Sequence, residues 1–278
     1  MELRLDAPAK VNLTLDILRK RADGYHDLNS IMHNVGLYDT LIVSPSEDIR
    51  LTCDEPLPRN NTVIRAVKIY QSAVRCPGVH IRLIKRIPSE AGLGGASADA
   101  AAALRAMHRL YGGLSESALF RLAKDIGADV PFCLMGGCAL AEGIGDRLMR
   151  LPVQNFSILI AKSARGISTR KLFSALKLPV QHPKNQDALR ACLAQDISAL
   201  APLIKNALEP AAVKICPEIR KLKQMMLNYG ALAAAMTGSG SAVFGLFQSL
   251  DEAAAAREKL GAEYFTCVCD STGPAWPR

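Results

Sequence analysis

Apolar and polar residues alternate from the start of the chain. Leu3 and Leu5, then Val11, Leu13, Leu15 and Ile17, recur at every second position and predict strands across residues 3–18. Ala7-Pro8-Ala9-Lys10 falls between these runs. Proline has no amide to give a ladder, so an edge or a break is expected there, and Lys10 stands at an irregular point from which a side chain can be aimed into a cleft. On pattern alone, a strand lysine is more often solvent-facing. Further strands are predicted at 31–44, 49–53 and 79–84, with a helix from Val63 to Val74 opened by Asn60-Asn61-Thr62. The Ala-rich run Ser97 to Tyr111 is a strong helix former that stops at Gly112-Gly113. Ser115 caps a helix whose Leu119, Leu122, Ala123 and Ile126 share one face, and Gly127 ends it. Gly136-Gly137 and Gly143-Ile144-Gly145-Asp146 mark tight turns between short strands.

Beyond Leu151-Pro152 the pattern restarts with the strand Ile158 to Ala161 and a helix that opens at Ser168-Thr169 and carries Phe173. Helices are predicted at about 185–194, 197–207 and 217–229, followed by strands 231–236 and 242–247, a helix from Asp251 to Leu260 and a strand at 263–269. The expected architecture is α+β in two domains, residues 1–152 and 153–263. The terminal stretch 264–278 is expected to return to the first.

The stretch with the clearest chemistry runs Pro88-Ser89-Glu90-Ala91-Gly92-Leu93-Gly94-Gly95-Ala96-Ser97-Ala98 and leads into the Ala-rich helix. Three glycines in four residues permit positive φ and let the backbone approach a ligand closely, while the helix start offers unpaired amides and the positive end of a dipole. A nucleotide polyphosphate is the anion such a loop suits; a tight turn that binds nothing is the plainer alternative. Neither the Gly-Lys-Ser/Thr of a Walker loop nor the third glycine of a dinucleotide turn is present. Asp129, in Gly127-Ala128-Asp129-Val130-Pro131-Phe132, reads by position as a helix cap or turn residue. Asp99 falls in the first turn of its helix, where a carboxylate complements the dipole. Thr237-Gly238-Ser239-Gly240-Ser241 is a hairpin turn or a second phosphate-closing loop.

Composition narrows the classes. With 49% hydrophobic and 22% charged residues the chain is ordinarily globular, and no apolar run approaches the ~20 residues that span a bilayer. Patterned strand begins within a few residues of Met1, so no signal segment is read and a cytoplasmic address is expected. The eight cysteines have no Cys-x-x-Cys spacing and read as reduced, mostly buried thiols, with Cys267 and Cys269 on one strand face. A net charge of +8 admits nucleic acid, membrane or anionic small substrates. The basic groups, Arg19-Lys20-Arg21 among them, are short and dispersed, and aromatics make up only 5%, which argues against a nucleic-acid surface. Such groups are usually solvated faces, with attraction of a polyanion as a secondary benefit.

Taken in order, Ala7 to Leu13, Gly24-Tyr25-His26, Pro88 to Ala101, Gly127 to Phe132, Asn206-x-Leu208-Glu209-Pro210 and Met236 to Ser241 resemble the 4-diphosphocytidyl-2-C-methyl-D-erythritol kinase family of the GHMP kinases, nearly end to end. The resemblance implies a two-domain kinase with its site in the inter-domain cleft. ATP with Mg²⁺ would bind the Gly-rich loop, and phosphorylation would fall on the 2-hydroxyl of a cytidine-diphosphate-linked methylerythritol in the non-mevalonate isoprenoid route. It places Lys10 and Asp129 on the catalytic pair and Pro88 to Ala98 on the phosphates, with Asn61 and Lys85 near the adenosine. Asn12, Tyr25, His26, Phe173, Gly238 and Ser239 fall on the substrate pocket. No side-chain metal site, nucleic acid or membrane partner is implied, and oligomeric state is left open. Ala161 to Arg165 departs from the proline-containing turn frequent in the family.

Overall fold

A computed structural model describes residues 2–58, 60–174, 176 and 185–274. Strand β1 (Leu3–Lys20) pairs antiparallel with β2 (His26–Ser46) through a tight turn at Asp23-Gly24. Pro8 does not break β1. The register with β2 shifts between Pro8 and Ala9, a bulge that absorbs the missing amide. At that bulge the strand's packing changes partner. Leu5 and Ala7 join a core covered by helices, whereas Ala9, Val11 and Leu13 join a core shared with the second half of the chain.

Next come β3 (Arg50–Cys53), α1 (Thr62–Ala73), β4 (Gly78–Ile84), α2 (Gly95–Tyr111), α3 (Glu116–Ile126), α4 (Val130–Met135), β5 (Cys138–Gly143) and β6 (Arg147–Leu151). The cap read at Ser115 is present, its Oγ accepting from the Ala118 amide, and the helix start read at Asn60-Asn61-Thr62 is capped by Asn61, whose Oδ1 accepts from the Val63 amide. The chain continues as β7 (Ser157–Lys162), α5 (Thr169–Ser174), α6 (Gln186–Ala194), α7 (Ile197–Leu200), β8 (Lys205–Asn206), α8 (Glu209–Ile215), α9 (Glu218–Asn228), β9 (Ala233–Met236), β10 (Val243–Phe247), α10 (Leu250–Glu258) and β11 (Phe265–Asp270).

The first sheet runs β3-β4-β2-β1-β8, with β5 and β6 attached through β2, and the second runs β11-β7-β10-β9. Ile31 and Val35 from the first sheet meet Ile158, Ile160, Phe244 and Leu246 from the second in one continuous core. Burial of this kind contributes about 25 cal/mol per Å² of apolar surface, which makes the contact between the halves a large stabilising term.

Two expectations are corrected. The helix expected over 197–207 ends early: Pro202 cannot donate to it, a 3₁₀ turn takes over at Ala201–Leu203, and Lys205–Asn206 pair parallel with Thr14 and Leu15. Strand β11 does not pair with the first sheet but lies antiparallel on β7, where Cys267 and Cys269 pack into the shared core. Its C-terminal end still reaches the first sheet: Cys269 and Asp270 lie against Gly36 of β2, Ser271 is bridged to Val35 and the Thr272 amide donates to the Asn34 carbonyl. Residues 275–278, part of the expected return, lie outside the described residues. Helix α8 was not anticipated.

Candidate active site

A cavity of about 950 Å³ opens between the first sheet, the start of α2, the α5 segment and the loop joining β9 to β10. The Gly-rich loop forms one wall, and its conformation follows from its glycines. Gly92 has φ +75°, and a Cβ there would sit 2.1 Å from the Thr237 carbonyl oxygen. Gly94 has φ +74°, and a Cβ would meet the Lys10 Cγ at 2.9 Å. Any side chain would therefore push the loop off both the facing loop and Lys10. Gly94 also occupies the N-cap of α2, which has no side-chain cap, so the helix start is available to an anion.

The loop is held from several sides. The Lys10 amide donates to the Leu93 carbonyl at 2.9 Å, and the amides of Ser241 and Ala242 donate to the carbonyls of Glu90 and Ala91 at 3.2 and 3.1 Å. Thr237 is fully buried, and its hydroxyl accepts from the Asn12 amide at 3.1 Å while donating to the Gly92 carbonyl at 3.2 Å. Asn206 fixes that facing loop by donating to the carbonyls of Met236 and Gly238 at 2.8 and 2.9 Å.

Lys10 is 3% exposed. Its ammonium donates to Asn12 Oδ1 at 2.7 Å and stands 3.6 Å from Asp129 Oδ2. Asn12 in turn donates to Ser30 Oγ at 2.8 Å, which fixes its amide. Asp129 does occupy the position before α4, but its side chain makes no cap bond. Instead its partly exposed carboxylate faces the ammonium across the cavity floor. A strand bulge and a helix start, more than a hundred residues apart in sequence, thus bring an acid and a cation together.

At the other end stand Tyr25, His26 and Phe173. His26 and Phe173 have ring centroids 5.0 Å apart, and Tyr25 is exposed on the rim. Burial, reinforced by the nearby Lys20 charge, lowers the His26 pKa, which favours a neutral imidazole with one donor and one acceptor. Gly238 and Ser239 line the cavity opposite, with Ser239 Oγ 2.7 Å from the Thr169 hydroxyl.

Of the residues singled out from sequence, Pro88 to Ser97, Asn61 and Lys85 also line the cavity. Ala98 does not: it is completely buried in the helical core, because its position in α2 turns it away from the loop. Nor do residues 161–165 line the wall; the Lys162 ammonium is spent on the Ser163 carbonyl. Lys85 is not a free nucleotide contact. Its ammonium pairs with Asp39 and, at 2.7 Å, with Asp99. Asp99 is therefore no exposed dipole partner but one corner of a buried triad. Burial, with Asp39 adding repulsion and Lys85 opposing, pushes its carboxyl up to about 7. Asp39 Oδ1 accepts the Arg86 and Ile87 amides at 2.5 and 2.8 Å, which anchors the backbone entering the Gly-rich loop. Asp39 carried no sequence signal beyond a polar position within a strand, and Thr237 was read only as part of its Gly-Ser loop, not as a bridge to Asn12 and Gly92.

Comparison with known proteins agrees with this geometry. Residues 61–137 match the GHMP kinases N terminal domain and residues 188–266 the GHMP kinases C terminal family. The 4-diphosphocytidyl-2-C-methyl-D-erythritol kinase of Pelotomaculum thermopropionicum is 44% identical over 89% of this chain and 90% of its own length. Its namesake from Caldicellulosiruptor saccharolyticus is 42% identical over 92% of each. The crystal structure of a 4-(cytidine 5'-diphospho)-2C-methyl-D-erythritol kinase superposes with a TM-score of 0.85 at 35% identity, covering 98% of this chain and all of the other. With identity sustained along both halves and the cleft geometry in place, the chain belongs to the 4-diphosphocytidyl-2-C-methyl-D-erythritol kinase family of GHMP kinases, which makes it a small-molecule kinase.

Proposed function

We propose that this chain, acting in the cytoplasm, transfers the γ-phosphoryl group of ATP to the 2-hydroxyl of 4-diphosphocytidyl-2-C-methyl-D-erythritol, in the non-mevalonate route to isoprenoid precursors. The observation that carries the reading is one cavity with the Lys10–Asp129 pair on its floor, the Gly-rich loop on one side and the His26–Phe173 pair at its far end.

The attacking hydroxyl must lose its proton as it meets the γ-phosphorus. Asp129 is the carboxylate placed to accept it, and Lys10, held by Asn12, balances charge as it develops on the transferring oxygens. The loop from Pro88 to Ser97 and the start of α2 cradle the polyphosphate with backbone amides. Magnesium, when bound, neutralises phosphate charge. Among the described residues no three His, Cys, Asp or Glu converge, so phosphate oxygens and water would supply most of its ligands. Asn61 borders the adenosine side. Neutral His26 can donate to and accept from the cytosine edge while Tyr25 and Phe173 offer aromatic faces, and Gly238 with Ser239 closes over the linker.

A coupled ADP-release assay tests this directly, with 4-diphosphocytidyl-2-C-methyl-D-erythritol set against mevalonate, homoserine and galactose. Turnover confined to the cytidine compound is expected. Preference for any of the other three would overturn the assignment.

A further inference from the structure

The hairpin between β1 and β2 carries three cations in a row, Arg19, Lys20 and Arg21, and two carboxylates, Asp23 and Asp27. Arg19 pairs with Asp27 at 2.5 Å, and Arg21 pairs with both Asp27 at 3.2 Å and Asp23 at 2.8 Å. Both carboxylates are thereby spent on the two arginines. Lys20 is left without an ion pair among the described residues, and it lines the cavity. The strand register sets it opposite His26, whose ring touches Phe173. The other two ammonium groups on the described cavity wall are already engaged, Lys10 by Asp129 and Lys85 by Asp39 and Asp99. Among the described residues, an anion entering at this end therefore meets one uncommitted positive charge, that of Lys20.

We infer that Lys20 is the electrostatic receptor for the diphosphate bridge of the substrate, and so a determinant of specificity for a nucleoside-diphosphate-linked polyol over a polyol without phosphates. The inference rests on the substrate reading given above. A diphosphate diester carries two negative charges one ribose away from the base, and a flexible lysine arm beside the base pocket suits a point-charge contact with it. Because Lys20 is exposed, its effect is screened by salt. It acts on capture and affinity, since the ion pairs of Lys10 and Asp129 do not involve it.

The test compares Lys20→Ala and Lys20→Glu with the wild-type enzyme in steady-state ADP release, varying the cytidine substrate at saturating ATP and ATP at saturating substrate. Lys20→Ala should raise the substrate KM about three- to tenfold at about 0.05 M salt, and Lys20→Glu should raise it further. In both variants kcat and the KM for ATP should stay near wild type, and the gap should narrow at about 0.5 M salt. An unchanged substrate KM, or an equal rise in both KM values, overturns the role of Lys20. The wild-type arm separates that failure from a failure of the substrate reading: if wild type turns the compound over and only the variants behave as wild type, the function stands and Lys20 falls. If wild type does not turn it over, the substrate reading itself is lost.

Discussion

The two ends of the cavity are built on different principles. At the phosphate end the wall is backbone: residues 90–93 are hydrogen-bonded from β1 and from the loop after β9, with Gly92 and Gly94 holding conformations that side chains would forbid. The Asp39–Lys85–Asp99 triad is buried behind it, and the buried Lys10 faces the partly exposed Asp129. At the base end the wall is side chains on a hairpin and one short helix. Tyr25 is 58% exposed, and the ion pairs of Arg19 and Arg21 sit in solvent. Phosphoryl transfer gains from dipoles fixed before the substrate arrives, because reorganisation during the step would cost rate. Base recognition needs a contact that can open to admit a ring. The first end should thus govern kcat and the second KM.

The largest test of that division is Asp129→Asn. An amide of the same size cannot take the proton, so kcat should fall by roughly 10²–10⁴ with KM for either substrate nearly unchanged. Lys10→Ala should be comparably damaging. As the two groups act as a unit, the double variant should cost far less than the product of the separate losses. Near-normal turnover of Asp129→Asn would return Asp129 to the turn residue its position alone describes.

At the other end, Phe173→Ala removes an aromatic face. If that face stacks on cytosine, substrate binding weakens by about 1–3 kcal/mol, by analogy with stacked single-stranded bases, while the KM for ATP stays put. Lower thermal stability with unchanged substrate affinity would make Phe173 an ordinary packing residue of its helix.

Thr237 sharpens the contrast from within the phosphate end. Thr237→Val keeps the volume but strands the buried Asn12 amide and releases the Gly92 carbonyl, so strand β1 and the Gly-rich loop lose their shared tether. A drop in kcat of about tenfold is expected from the small misplacement, with KM little altered, and Thr237→Ser should restore most of it. Equal losses in the serine and valine variants would show that the methyl packing, not the hydroxyl bridge, is what matters.

This contrast also explains what could be read in the sequence. The phosphate end was legible because its requirements are local: glycines at consecutive special positions, then a helix former, in one unbroken string. The strands β1 and β4 were legible because an apolar residue at every second position needs no knowledge of partners, although in β1 the polar positions between 7 and 17 proved buried as well. The base end has no local signature. Phe173 lies most of the first sheet's sequence away from Tyr25 and was placed beside it through family resemblance alone. Lys20 looked like any solvated lysine until its neighbours' partners were known. The triad was missed for a related reason. Asp39, Lys85 and Asp99 come from β2, the end of β4 and α2, and nothing in their spacing announces that they converge. The helix expected over 197–207, which ends at Leu200, shows the opposite error, a helix carried across a proline.

The smallest effect expected concerns the buried charge itself, and it is read in stability. Burial raises the Asp99 carboxyl from its ordinary 3.8 to about 7 in the folded protein, with Asp39 adding to the rise and Lys85 working against it. Between those values the folded state binds the proton more tightly than the unfolded chain does. The contribution of this group to stability is therefore full below about pH 3.8, erodes as pH rises, and is gone above about pH 7. Other carboxylates pull the opposite way. Asp23 and Asp27, held down chiefly by hydrogen bonds from Arg21 and Arg19, lose their contribution as pH falls, so the wild-type curve alone does not isolate Asp99. Asp99→Asn does, because the amide cannot titrate. The melting temperature of that variant minus that of wild type should rise between pH 4 and pH 7, by a few degrees if about 1 kcal/mol is involved. The same difference measured with Asp23→Asn, on the exposed hairpin, should move little and in the other direction. A flat difference for Asp99→Asn would mean that the carboxylate is ionised throughout, that Lys85 outweighs burial, and that the triad behaves like the solvated pairs at the base end.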